Sequence, residues 1–206
     1  MEILDISPLI SPRIAVWPGD TPFTHRYLCR LDEGANLDLS TIETTVHLGA
    51  HTDSPSHYQQ EGAGMASRPL ELYLGPCQVM WVDVPRGERV LPEHLQGPIE
   101  AERVLFRTGS FPDPDRFDED FCALSPELVE HLHVQGVRLV GLDTPSIDPF
   151  RSKKLESHLA VARRDMGILE GVVLDHVPAG TYTLIALPLR LEGADASPVR
   201  AVLLRD

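Results

Sequence analysis

Positive charge is scarce in this 206-residue chain. Lys and Arg together number 18 against 31 Asp and Glu, a formal charge of −13. A phosphate backbone is gripped by clustered cations, so nucleic acid is disfavoured as a partner. An anionic membrane surface is disfavoured on the same ground. No run of 18 apolar residues exists, so no transmembrane helix is expected. The stretch MEILDISPLI has neither the basic segment nor the long apolar run of a secretory signal. Cysteine is sparse too. Cys29, Cys77 and Cys122 are odd in number, widely spaced and without a CxxC pair. They read as reduced thiols of a cytoplasmic protein, buried as small hydrophobes.

What is present is an ordinary globular balance, 42% apolar and 24% charged. The length suits one domain over residues 1–206, with volume for a real core. There is no internal repeat and no low-complexity tract. Eighteen prolines, nearly twice the usual share, are spread along the chain and predict many short elements joined by ordered turns.

Short β-branched or alternating runs dominate. Residues 3–6, 13–17, 39–46, 78–84, 103–107, 137–142, 171–174, 181–187 and 199–204 read as strands. Pro188 would break a ladder bond, so the run through ALPLRL is bulged or at an edge there. Helices are fewer. Ser125-Pro126-Glu127 is an N-cap, a first-turn proline and an acidic first turn, leading to Leu128, Val129 and Leu132 at helical spacing, with Gly136 as the stop. A second helix is expected from about Ser152 to Met166, and a short turn at Leu91–Leu95. Phe111–Asp120 is an acidic, proline-containing loop. The expected class is α/β, sheet-rich, with few helices packed outside.

The chemistry concentrates in His47-Leu-Gly-Ala-His51-Thr-Asp53-Ser-Pro-Ser-His57. Every potential ligand occupies an odd position, which in a strand puts all of them on one face. A straight strand would hold His47 and His51 roughly 13 Å apart. Two nitrogens on one zinc ion must approach within about 3.5 Å. Thr44-Thr45-Val46, Gly49 and Pro55 oppose a helix, so the chain must bend between the histidines, and Gly49 can supply the bend. One strand and turn rarely closes a metal site. The best distant candidates are His158 and Glu170. A carboxylate beside a glycine at a strand start, as in GILEGVVLD, also suits a solvated turn. His131 and His133 point apart on their helix, and His25, His94 and His176 have no clustered partners.

This pattern, H-x-G-[TA]-H-x-D-x-P-x-H, resembles the cyclase-like metal-dependent hydrolases, and within them the bacterial kynurenine formamidase branch. The likeness extends through DISPLI, WPGD, HLGAHTDSPSHY, LELYLGPC, FRTG, GLDTPSIDP, the SHLA and GILEG segments, and LIALPLRLEGADASPVRAVL. Ala50 stands where the broader family often has Thr, which removes one hydroxyl near the centre. The resemblance implies a swivelling β/β/α domain, usually a homodimer, with two Zn²⁺ per chain. His47 and His51 would bind one ion, His158 the other, and Asp53 and Glu170 would bridge them. His57 matches the acid/base histidine and Trp17 a substrate-contacting aromatic.

The implied reaction is hydrolysis of N-formyl-L-kynurenine to L-kynurenine and formate. Zinc ionises water near neutral pH and polarises the formyl oxygen, while the arylamine leaving group needs a proton donor such as His57. Trp17 offers a flat apolar wall, although a partly buried core position suits it equally. Ser146 and Asp148 in DTPSIDP either orient ligands or form a plain turn. Mn²⁺ is an alternative metal. The rival substrates are other small amides, lactams or cyclic imides, and the rival class is a non-catalytic metal-binding protein, against which His57 argues.

Overall fold

The computed structural model describes residues 1–205. Thirteen strands and two α-helices lie among them. The strands are β1 (Glu2–Asp5), β2 (Thr24–Cys29), β3 (Leu39–Glu43), β4 (His51–Asp53), β5 (Leu74–Trp81), β6 (Arg89–Val90), β7 (Arg103–Arg107), β8 (Ala123–Leu124), β9 (Leu139–Leu142), β10 (Gly167–Leu169), β11 (Gly180–Ile185), β12 (Ala196–Pro198) and β13 (Val202–Arg205). The helices are α1 (Pro126–Val134) and α2 (Glu156–Arg163).

Seven strands form one mixed sheet in the order β1-β13-β11-β5-β7-β9-β10. From β1 to β5 the neighbours are antiparallel, and from β5 to β10 they are parallel. Parallel neighbours need crossovers, and α1 and α2 sit in two of them. The pleat separates two cores. Val104, Phe106, Val140, Leu142 and Ile168 face a cluster that includes Leu128, Leu132, Ala160 and Val161 of the helices. Their chain neighbours Leu105, Leu139 and Leu169 face the other side, with Tyr73, Cys77, Leu184 and Leu203. This period-two division is the pattern of a sheet covered on both faces.

The expected start of α1 is observed: the Ser125 hydroxyl oxygen accepts from the Leu128 backbone N–H at 3.0 Å. The second helix is shorter than its expected span. It begins after Leu155 and ends before Asp165, both at positive φ (+49°). The run 181–187 stops at Ile185, before Pro188.

Two expected strands are corrected. Residues 13–17 are irregular: the Ala15 N–H donates to the Pro114 carbonyl rather than to a ladder partner, and Ile14 is buried by the loop packing around it. Residues 171–174 are also not a strand, because Gly171 at φ +66° turns the chain out of β10. Val172 and Leu174 are buried in the core all the same, which is why they read as strand.

Candidate metal centre and active site

Gly49 provides the bend that the His47–His51 spacing requires. It has φ +55°, and the ring centroids of His47 and His51 come to 5.1 Å. Beyond the bend, β4 is extended, so His51 and Asp53 point to the same side. Two segments clamp this strand. On one edge β12 pairs with it, Ala196 opposite Asp53. On the other, His51 and Glu170 exchange backbone hydrogen bonds of 3.0 and 2.9 Å. Gly171 makes that approach possible, since a Cβ there would fall inside the Gly49 carbonyl oxygen. The first turn of α2 brings in His158.

Five of the predicted residues therefore converge. His47 Nδ1 and His51 Nε2 lie 3.1 and 3.6 Å from Asp53 Oδ1, and His158 Nε2 lies 3.4 Å from Asp53 Oδ2. Glu170 repeats the arrangement: Oε2 is 3.2 Å from His51 Nε2, and Oε1 is 3.6 Å from His158 Nε2. Each carboxylate thus spans two ligand groups. His47, His51 and Asp53 form one cluster with metal-ligand spacing, and Asp53, His158 and Glu170 form a second, sharing Asp53.

The chemistry of Asp53 tests whether a cation fits. The residue is 2% exposed, yet neither of its carboxylate oxygens accepts a hydrogen bond. An ionised carboxylate cannot stay buried without a counter-charge. Burial pushes its pKa up, but the imidazoles of His158 and His47 outweigh that and hold the group well below the usual carboxylate range. A divalent cation matches what these oxygens lack.

The three histidines are also oriented for metal binding. Each has its outer nitrogen against an acceptor: His47 Nε2 on Asp195 (2.9 Å), His51 Nδ1 on the Gly49 carbonyl (2.9 Å) and His158 Nδ1 on Asp148 (2.8 Å). In the neutral ring such contacts fix the tautomer and leave the lone pair of the inner nitrogen facing the carboxylates. Asp148 is no plain turn residue. It is fully buried, accepts from the backbone N–H groups of Ser157 and His158, and is paired at 2.9 Å with Arg89. Ser146 lines the same site, and its hydroxyl accepts from the Asp148 N–H.

The centre opens into a cavity of about 440 Å³. His57 and Trp17 both line it, as do Phe111 and Phe117. Trp17 stacks obliquely on Phe150 at 4.9 Å and meets Phe117 edge-on at 5.4 Å. Two carboxylates beside the centre carry no signal in the sequence. Asp195 lies between His47 and His57. Asp143 lines the cavity and accepts from the Thr108 and Gly109 N–H groups, with burial pushing its pKa up. Neither stands in a local cluster of ligand residues, so spacing offers no signal for them.

Comparison with known proteins agrees with this geometry. The chain aligns end to end with a structure described as a "potential metal-dependent hydrolase with cyclase activity", at 26% identity, a TM-score of 0.83, and coverage of 100% of this chain and 98% of the other. A "predicted metal-dependent hydrolase" from Bacillus stearothermophilus matches at 25% identity and TM-score 0.80, covering 98% and 97%. Isatin hydrolase A from Labrenzia aggregata shares the fold at 23% identity and TM-score 0.83, covering 100% and 94%. Residues 4–149 match the family described as "Putative cyclase", so the sheet-rich α/β chain with its buried His–Asp–Glu cluster belongs to the cyclase family.

Proposed function

We propose that this chain hydrolyses an aryl formamide, N-formyl-L-kynurenine, to L-kynurenine and formate. The observation that carries the proposal is one arrangement. Two buried carboxylates reach shared histidines, Asp53 three of them and Glu170 two, and His57 and an aromatic wall line the cavity beside them. In this reading His47, His51, Asp53, His158 and Glu170 hold two zinc ions, with Mn²⁺ as the alternative. Two such ions ionise water near neutral pH and polarise an amide carbonyl.

The remaining work falls to the chain. Trp17, with Phe111 and Phe117 beside it, packs against the aryl ring and excludes water. His57 carries a proton to the leaving nitrogen, so that the amine departs neutral. Its Nδ1 is held by Asp195, which leaves Nε2 to exchange the proton. The bond broken is the amide C–N bond, and one water is consumed for each amine and formate released.

A cyclic imide or lactam is the second reading. The shared fold with isatin hydrolase favours it, because ring opening uses the same water and the same proton donor. We further propose a cytoplasmic homodimer acting on small molecules, without a nucleic-acid or membrane partner. No helix among the described residues is long and apolar enough to cross a membrane.

The test joins elemental analysis of protein purified without chelator to assays with formylkynurenine and with isatin on the same sample. Two zinc per chain and preference for the formamide are expected. Fully metallated protein that opens isatin but leaves the formamide intact would select the second reading. Fully metallated protein inert to both would favour a binding protein.

A further inference from the structure

Asp195 is a carboxylate at the centre outside the expected ligand set, and among the carboxylates of the described residues it alone contacts both His47 and His57. It immediately precedes β12, and its carbonyl accepts from both the backbone N–H (2.8 Å) and the hydroxyl (2.9 Å) of Ser54. These bonds fix it beside the strand that carries His51 and Asp53. Its side chain then turns toward His47 and His57, which line the cavity. A single oxygen, Oδ2, lies 2.9 Å from His47 Nε2 and 3.0 Å from His57 Nδ1. An ionised carboxylate only accepts, so both ring nitrogens facing it carry hydrogen. In the neutral ring that metal binding requires, the His47 lone pair then falls on Nδ1, the atom 3.1 Å from Asp53. His57 is left with Nε2 as its exchangeable position.

We propose that Asp195 is a positioning residue that joins His47 and His57 into one unit: the same oxygen sets the metal-facing nitrogen of one ring and the proton-exchanging nitrogen of the other. This rests on the hydrolytic reading of His57. The residue touches no reacting atom; it acts through the two rings. It should therefore govern turnover more than substrate capture.

The experiment compares zinc-loaded wild type, Asp195→Asn and Asp195→Ala, each with His57 intact and with His57→Ala. Asp195→Ala should lower kcat about 10- to 100-fold, the usual cost of losing such a partner, with KM within about twofold. Asp195→Asn, whose amide oxygen can still accept, should recover part of the loss. In the His57→Ala background, Asp195→Ala should cost clearly less than it does with His57 intact, because only its contact with His47 is left to lose. An undiminished loss there would overturn the proposal. Two readouts need no substrate. Long-range ¹H–¹⁵N spectra of the zinc-loaded protein should show His57 as the Nδ1–H tautomer in wild type and a changed ratio in Asp195→Ala. At saturating zinc the content should stay the same in both, because losing such a partner weakens affinity about 10- to 100-fold without removing a ligand. An unchanged tautomer would overturn the proposal. So would loss of one zinc equivalent in Asp195→Ala, which would place a cation among His47, His57 and Asp195. If neither formylkynurenine nor isatin is turned over, the spectra still decide the role of Asp195, so failure of the activity and failure of the positioning role are separable.

Discussion

Burial on its own would keep His47 and His158 neutral, since desolvation disfavours a charged imidazole. The neighbouring carboxylates of Asp53 and Asp195 outweigh it at His47, raising the pKa to about 9. Asp148 and Asp53 do the same at His158, raising it to about 10. Without metal, these rings therefore serve as the counter-charges of the buried carboxylates. A group whose folded pKa exceeds its unfolded value contributes stability in full below the unfolded value, here about 6.5, and that stability is lost as pH rises through the folded one. Chelator-treated protein should thus lose a few kcal/mol between about pH 6.5 and pH 10, or roughly 5–10 °C in Tm. Zinc needs neutral rings, so loaded protein should hold its Tm over the same range. Thermal scans of both forms across pH check this; equal curves would show that the carboxylates do not depend on these rings. At the same scale, His57→Ala should keep its zinc and lose most turnover, roughly 10²- to 10⁴-fold for a missing acid/base group. Glu170→Gln should lose at least one ion by elemental analysis. Full activity in the first variant, or two zinc in the second, would remove the assigned role.

Among the elements, the β2–β3 hairpin stands out because it has no core. None of its residues is buried, and Tyr27, Leu28 and Ile42 are 48%, 57% and 60% exposed. A lone two-stranded hairpin is marginal in water, and a cluster of exposed apolar side chains marks an interface. We expect a second copy of the chain to cover it. Light scattering should give a dimer at micromolar concentration, and Leu28→Asp with Ile42→Asp should give a monomer. A monomeric wild type would leave the hairpin without that explanation. The same hairpin shows where element reading from sequence stops. Its strand THRYLC has no apolar alternation, because it faces no core of its own chain. Residues 103–107, buried on both faces, were legible to the residue. Val172 and Leu174 were legible as core but not as loop, since one glycine angle decides the difference. The site divides in the same way. His47, His51, Asp53 and His57 lie within eleven residues and announce themselves. Glu170 needed the family likeness. Asp195 meets His57 from 138 residues away, a proximity that β12 pairing creates and no local spacing encodes.

Taken whole, the molecule is bound together by long-range pairings rather than by successive hairpins. β1 lies against β13, and β13 against β11. The centre draws on residues 47–57, 148, 158, 170 and 195, which span both cores. No subset of the strands can form the seven-stranded sheet alone. We therefore expect residues 1–206 to unfold as one domain, in a single calorimetric transition whose midpoint zinc raises. Two separated transitions would split the chain into independent units.

The bridge between His51 and Glu170 has a consequence for biosynthesis. A ribosome releases His47, His51 and Asp53 well before Glu170, and Asp195 later still. Until residue 170 clears the exit tunnel, the nascent chain carries half a chelate on a strand with neither neighbour in place. In the two-zinc reading, ion capture would wait until Glu170 and β12, which flank the strand of His51 and Asp53, have both emerged. An ion bound earlier would find two histidines and one carboxylate on an unfolded tether, a site that many other ligands in the cell can outcompete.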